Sequence, residues 1–555
     1  MTMPPRPHRK RFWAIWRSRL PLLAVLLIAT WLRLDGVGFG LPALNDPDEP
    51  LFMMTALDML RNHTFDPGWF GHPGTITLYC LALVIMAVGA LGTLTGRFDG
   101  ADGFAAAVFA DPSIVFLPAR LFVVACGVGC VLLTYMIARR LWGQRPALLA
   151  AAILAANALH IEYSQIIRTD MQASAFMLLC ALQSLAVVEH GRRRDYAIAG
   201  LMVGLGCATK WPAAAIALSP ICVGLSRREF PKLALFVAAA TAGLFVASPF
   251  LLIDHAAVLR DLAGETRAVH PGATGNGLLG NLMAYADGPL LASFGLAELA
   301  LAAIGVAGAC RDRRWLLAVV PGFALFALLI SGQHLVWDRW LVPMLPFVAL
   351  SAAWTLERIV VWLAPRLRVG ESWVAGAALA LLLIPMIGEA RTMAAERRND
   401  TRQAASAWIR AQVPPGSTIL LEHGAMDLLG GPWTLRFPLG SAGCIDPRKA
   451  LAGQISADQV ERRRVGRAIV DLGHVDRAQL GSCRADFAVL SHFARYQAEP
   501  ETYAEPLQRY RELTADGVLV ARIEPRPGER GGPVILIFRF GDARTKAQAR
   551  AVARH

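Results

Sequence analysis

Clustered apolar runs recur along most of this 555-residue chain, among them Leu22–Leu32, Leu201–Ala208, Leu233–Ala247 and Ala375–Ile387. Crossing a bilayer takes about 20 mostly apolar helical residues. Composition agrees with that reading: 55% of the residues are hydrophobic and 17% charged, against about 25% charged in an ordinary soluble domain. The expected fold class is a mainly α, polytopic membrane protein in contact with membrane lipids.

The net charge of +13 does not point to nucleic acid. Much of it sits in short clusters between apolar runs: Arg9-Lys10-Arg11, Arg139-Arg140, Arg192-Arg193-Arg194, Arg227-Arg228, Arg311/Arg313/Arg314 and Arg366/Arg368. Cytoplasmic loops of membrane proteins carry such an excess of Lys and Arg. Expected spans lie at 18–36, 118–138, 147–163, 171–189, 196–210, 212–226, 233–251, 289–309, 315–331, 340–363 and 372–390, about eleven helices of membrane-crossing character. With residues 1–17 as a basic cytoplasmic N-terminus, alternate counting puts every Arg cluster between spans inside. The connections 37–117, 164–170, 252–288 and 332–339 then fall outside. No clear small-residue cleavage site follows Leu20–Leu32, so this first span reads as retained rather than as a signal peptide. Residues 74–95 are also apolar enough to span, but that would move Arg139, Arg140 and Arg145 outside. They are expected to form a re-entrant or interfacial helix on the outer side.

The stretch 391–555 changes character. It has Pro/Gly turns, charges and short β-rich runs such as Asp486-Phe-Ala-Val-Leu and Val534-Ile-Leu-Ile-Phe. A soluble α/β domain is expected here, tethered to the last span at 390 and periplasmic by the same count. Seven of the nine cysteines lie in or beside apolar runs, where Cys acts as a small core residue. Cys444 and Cys483 are alone in the polar region, and an extracytoplasmic setting would let them pair. There is no CxxC and no Cys/His zinc spacing.

The first outer loop carries three carboxylates in four residues, Asp46-Pro47-Asp48-Glu49. Asp46 suits the N-cap of a short helix, Pro47 its first position, and Glu49 a capping box. Asp48 is left without a structural task, and at a membrane surface it suits a general base or a metal ligand. Asp170 lies at the join of two spans on the same side, where it suits an N-cap or a shared cation site. Lys210 and Arg339 mark outer ends of spans. Outer cations run against the positive-inside bias; they fit interfacial snorkelling, or capture of a lipid phosphate, for which Arg offers a fork and Lys a point charge. His72 and His334 are further candidates, each more often a plain hydrogen-bonded residue. No Walker loop, GxGxxG before a helix, HExxH or GxSxG is present, so no nucleotide cofactor is expected.

These residues, in order, resemble the polyprenyl-phosphate-sugar-dependent glycosyltransferases of the C-type membrane fold, the superfamily of protein O-mannosyltransferases and lipid A aminoarabinose transferases. The likeness rests on Pro47-Asp48-Glu49 after the first span and Phe70-Gly71-His72-Pro73. It continues through Pro118-Ala119-Arg120, Arg139-Arg140-Leu141-Trp142-Gly143, Arg168-Thr169-Asp170 and Ala208-Thr209-Lys210, and then Arg339 before Pro343 and Pro346. It covers roughly residues 20–350. The resemblance implies a C-type module over 18–390, with a catalytic outer loop over 37–117. It makes Asp48, with Glu49 beside it, catalytic, while Asp170 would help bind a divalent metal, with Asp48 as a second ligand, or position donor and acceptor. It assigns the carrier phosphate to Lys210, Arg339, Arg120 and His72. One departure stands out: the aminoarabinose transferases carry Glu-Lys-Pro where this chain has Gly71-His72-Pro73, so a Glu metal ligand is missing and His72 stands in place of Lys.

The implied reaction moves a sugar from a polyprenyl-phosphate carrier to a glycan, lipid or protein acceptor on the periplasmic face of a bacterial inner membrane. Two other readings stay open on the sequence: a transporter or flippase of lipid-linked sugars, and a ligase or polymerase using diphosphate-linked oligosaccharide. Against the first, the ionisable residues cluster at helix ends rather than centres, and no internal repeat is visible.

Overall fold

The computed structural model describes residues 7–71, 74–265, 270, 272–422, 426–440, 443–451, 454–455 and 471–541. The chain divides into two units, one of residues 1–37 and 48–391, the other of residues 38–47 and 392–555.

The larger unit is helical. Among the described residues, six helices are long and apolar enough to cross a membrane: Thr75–Leu94, Ser113–Trp142, Asp170–His190, Phe230–Ala247, Asp338–Leu367 and Glu371–Arg398. Two bent pairs raise this to eight, and the protein is a multi-pass membrane protein. Thr75–Leu94, expected as a re-entrant or interfacial helix, is one unbroken helix that itself meets the requirements of a span.

Several expected spans are interrupted for identifiable reasons. The stretch 147–163 bends by 65° between Gln144–Ala156 and Ala158–Ser164. Asn157 sits at the break, where its side chain accepts from the His160 backbone N at 2.9 Å and donates to Ser293 O at 3.1 Å. A side chain that caps a new helix start ends the old one. The stretch 289–309 turns by 117° before Leu296–Ala309, at Gly295 with φ +88°, a conformation that favours glycine. Residues 212–226 begin as the tight helix Trp211–Ala217 and continue as Leu218–Ser226.

Small residues let backbones meet. Gly200 and Gly204, one turn apart on Arg193–Thr209, face the Phe236 and Ala240 carbonyls of Phe230–Ala247 so closely that neither leaves room for a Cβ. This small-xxx-small spacing is a membrane-helix device, since lipid gives no hydrophobic drive between helices and close packing replaces it. The core is rich in alanine for the same reason, with Trp315 and Phe347 stacked at 5.2 Å within it.

In the smaller unit, strands β1 (Thr418–Leu421), β2 (Thr434–Pro438), β3 (Cys444–Ile445), β4 (Phe487–Leu490), β5 (Val518–Ile523) and β6 (Ile535–Arg539) form one sheet in the order β3-β2-β1-β4-β6-β5. β1 runs parallel to both β2 and β4, while the other pairs are antiparallel. A parallel strand covered on both faces reads as a continuous apolar run. Accordingly, Ile419 and Leu421 of β1 pack with Ile409 of the helix Thr401–Gln412, while Leu420 packs on the other face with Tyr496 and Tyr510. Cys444 and Cys483 are joined as a disulfide.

At the carboxyl ends of β1 and β4 lies a buried polar cluster. Glu422 accepts from the backbone N of Ser491 at 2.7 Å and of His492 at 2.9 Å, and from the Tyr510 hydroxyl. Asp471 accepts from Tyr496 at 2.5 Å and bonds His474 at 2.7 Å.

Candidate active site

The helix that follows the acidic loop is Glu49–Arg61, two residues later than the expected cap at Asp46. Asp48 occupies the N-cap position, yet its side chain makes no cap hydrogen bond. The carboxylate turns instead to two guanidinium groups. Arg168 pairs with its Oδ2, and Arg339 Nη1 lies 3.6 Å from the same atom. The Asp48 side chain keeps 36% of its surface, whereas Arg168 and Arg339 keep 10% and 17%. The acid is thus the accessible member of the group.

Glu49 points the other way and is fully buried. Its two oxygens accept from Arg120 Nε at 2.9 Å and Nη2 at 2.6 Å, and Oε1 also accepts from the Ile167 backbone N at 3.0 Å. Arg120, equally buried, donates from Nη1 to Val37 O at 2.8 Å. The expectation placed Arg120 among the phosphate ligands; here its fork faces Glu49 and Val37 in the interior. Isolated buried charges are costly, so each is matched. The pair joins the start of Glu49–Arg61 to Ser113–Trp142, and the Ile167 bond joins it to the 164–170 connection.

That connection is fixed at several points. Gln165 Nε2 donates to Arg33 O at 2.8 Å and Asp35 O at 2.7 Å. Arg33 is itself buried, donating from Nη1 to Ala29 O at 2.9 Å and contacting His160 Nδ1 at 2.7 Å through Nη2. Arg168 is therefore presented to Asp48 by a chain of hydrogen bonds rather than by a flexible loop.

Asp170 opens the helix Asp170–His190 and pairs with Lys210, both nearly fully buried. The charges of Arg168 and Arg339 also act on Asp170, so the two ion-paired carboxylates share one electropositive neighbourhood. The Thr209 carbonyl beside Lys210 accepts from Gly74 N at 3.2 Å, which holds the start of Thr75–Leu94 against this end of the site. Arg339 additionally stacks over Trp337, 4.5 Å from the ring centroid. His72 lies outside the described residues.

Of the residues expected from the sequence, the fold brings together Asp48, Arg339, Asp170 and Lys210, and it sets Glu49 and Arg120 directly behind them. Arg168, which the sequence marks only as part of a motif, is the nearest cation to Asp48. Its signal lay in the motif Arg168-Thr169-Asp170, as a cation beside an acid at the start of a helix. As they stand, the described residues around Asp48 and Asp170 do not form a donor set for a divalent cation. No group of three or more His, Cys, Asp or Glu among the described residues is placed to hold one, and both candidate carboxylates face cations instead.

Residues 103–253 match the family model described as dolichyl-phosphate-mannose-protein mannosyltransferase. A search of curated protein sequences gives no match. Crystal structures of ArnT from Cupriavidus metallidurans, one bound to undecaprenyl phosphate and one apo, are similar over 95% of this chain and 98% of theirs, with 14% identity and a TM-score of 0.52. The archaeal oligosaccharyltransferase AglB from Archaeoglobus fulgidus, in complex with an inhibitory peptide and a dolichol-phosphate, is similar over 90% of this chain and 72% of its own, with 12% identity and a TM-score of 0.50. At such identities these likenesses are ones of fold. The chain thus shares the C-type membrane fold of these glycosyltransferases, and the family model matches within that part of the chain. The resemblance carried by the sequence motifs is borne out at that level.

Proposed function

We propose that this protein transfers a sugar from a polyprenyl-phosphate carrier to an acceptor on the outer face of the membrane, with Asp48 as general base. The observation that carries this reading is the Asp48 carboxylate, which stands between the Arg168 and Arg339 guanidinium groups and is the most accessible member of that cluster. Support for the carrier comes from the undecaprenyl phosphate bound to ArnT and the dolichol-phosphate bound to AglB, two proteins of similar fold.

In the proposed reaction an acceptor hydroxyl or amine attacks the anomeric carbon. Its proton passes to the Asp48 carboxylate as the new bond forms. The bond from the anomeric carbon to the phosphate oxygen breaks, and the oxygen leaves with the electron pair, inverting the centre. Arg168, Arg339 and Lys210 balance the charge of the departing polyprenyl phosphate. Asp170 keeps Lys210 in place. Glu49 and Arg120 act as positioning residues, since they fix Asp48 and Arg168 from behind. No step is assigned to a metal, because the carboxylates that would hold it are committed to cations. The C-terminal unit is assigned to the periplasm of a bacterial inner membrane. The Cys444–Cys483 disulfide, which suits an oxidising compartment, supports this.

The test uses right-side-out and inverted membrane vesicles carrying wild type or Asp48→Asn, supplied with radiolabelled polyprenyl-phosphate sugars. Transfer by wild type on the outer face should fall by at least about 100-fold in Asp48→Asn. Near-normal transfer by the variant would sink the base assignment. Absence of transfer from every monophosphate carrier by folded wild type would favour a diphosphate-linked ligase or a transporter.

A further inference from the structure

The segment Gly38–Pro47, which leads directly into Asp48, belongs to the C-terminal unit. Within that unit it is held closely. Asn45 is buried, and its amide forms a reciprocal pair with Gln403: Asn45 Nδ2 donates to Gln403 Oε1 at 2.9 Å, and Gln403 Nε2 donates to Asn45 Oδ1 at 2.7 Å. Arg402 Nη1 donates to the Asn45 carbonyl at 2.5 Å.

Both partners come from the first turn of Thr401–Gln412, and their placement is itself built. Asp400 caps that helix through the Arg402 backbone N at 2.8 Å. It also grips the Arg402 guanidinium at Nε, 2.8 Å, and Nη2, 2.7 Å. Earlier in the segment, Arg397 stacks over Phe39 at 3.8 Å, and Gly40, with φ +64°, lies so close to Asn45 that a Cβ would collide with its amide.

We propose that Gln403 and Arg402 are positioning residues for the base: by clamping Asn45 they fix the chain from which Asp48 projects. Asn45 and Asp48 are three residues apart, a reach of at most about 11 Å. One of the two residues between them is Pro47, whose φ is locked. A tether this short and stiff passes a displacement of Asn45 on to Asp48. Misplacing a reacting group by about 1 Å can cost about 100-fold in rate. This inference rests on the reading of Asp48 as base.

The experiment uses the full-length protein in membranes, with Asn45→Ala, Gln403→Ala and the exchanged pair Asn45→Gln with Gln403→Asn. Three quantities are read: kcat and KM for transfer from polyprenyl-phosphate sugar, affinity for undecaprenyl phosphate alone, and amide hydrogen exchange over residues 44–52. Each single variant should lower kcat by about 10- to 100-fold, leave undecaprenyl phosphate affinity within about twofold of wild type, and speed exchange over 44–52. The exchanged pair keeps the summed side-chain length and should recover most of the loss. Unchanged kcat in the single variants overturns the proposal, as does an equal loss in the exchanged pair or a parallel loss of carrier affinity. If wild type itself shows no transfer, the functional reading fails separately. The clamp is then judged by exchange alone, and unchanged protection over 44–52 overturns it.

Discussion

Glu49 and Arg120 meet as a two-pronged ion pair with no solvent exposure on either side chain, one residue beyond the exposed carboxylate of Asp48. Removing one partner of such a pair leaves a buried charge unmatched, at a cost of about 3–5 kcal/mol. Arg120→Ala is therefore expected to lower the thermal stability of the detergent-solubilised protein sharply. Arg120→Lys should recover little, because a point charge cannot satisfy two carboxylate oxygens and the Val37 carbonyl together. A variant as stable as wild type would show that the pair is not needed to hold this corner.

Arg168 and Arg339 share one carboxylate oxygen of Asp48. On the proposed mechanism, Arg339→Ala and Arg168→Ala should each weaken binding of undecaprenyl phosphate by about tenfold or more, an effect of roughly 1.4 kcal/mol or above for a charge-assisted contact. Binding to wild type should weaken as salt is raised, more steeply than binding to either variant. Equal carrier affinity in wild type and both variants would remove the phosphate role.

The carboxylates implied as metal ligands are paired with cations, and the Glu of the related Glu-Lys-Pro motif is absent here. Transfer should accordingly survive exhaustive chelation with EDTA with less than about a twofold loss, a change below 0.5 kcal/mol in barrier height. Loss of activity on chelation, restored by one divalent cation, would show that a metal binds after rearrangement of these pairs.

The Cys444–Cys483 disulfide closes a loop of 39 residues in sequence separation and ties β3 to the segment before β4. Replacing both cysteines by serine should destabilise the C-terminal unit by about 2–4 kcal/mol. Limited proteolysis of the full chain, scored on fragments from 418–541, reads the effect. Unchanged protease resistance would argue that the bond does not contribute to this fold.

Burial disfavours the charged form of His492, but the Glu422 carboxylate 3.7 Å away, and then Asp471, outweigh it against a smaller push from Arg495. Its pKa is therefore raised above the ordinary 6.5. A raised folded-state value contributes stability that is fully present below the unfolded pKa and is lost as pH rises through the folded one. Burial of Asp471 likewise opposes its charge, yet the hydrogen bond from His474 and the nearby His474 and His492 charges hold it below the ordinary 3.8. That contribution is present above about pH 4 and lost as pH falls through the folded value. The stability gap between wild type and His492→Gln, read from amide exchange in β1 and β4, should therefore narrow as pH is raised from 6.5 into the alkaline range. A gap that stays constant over this range contradicts the pairing.

Much of this protein could be read from its sequence, because bilayer insertion and charge bias are written in short runs of residues. The long apolar helices, the change of character near residue 391 and the acids and cations at helix ends follow from composition over a few turns of chain. Asp48 stood out locally, as a carboxylate with no helix-capping task. Other features had no local sign. Asn157 and Gly295 break expected spans because one side chain prefers to cap and one backbone needs φ +88°, and neither cost appears in a hydropathy average. The pairing of Asp48 with Arg168, 120 residues away, and of Glu49 with Arg120, 71 away, was decided only when the connections packed together. The same holds for the grouping of residues 38–47 with the C-terminal unit. The physical reason is the range of the forces involved: hydrophobic burial is set by each segment's own composition, whereas an ion pair or an amide clamp exists only where tertiary packing brings two distant side chains within about 3 Å and removes the water between them.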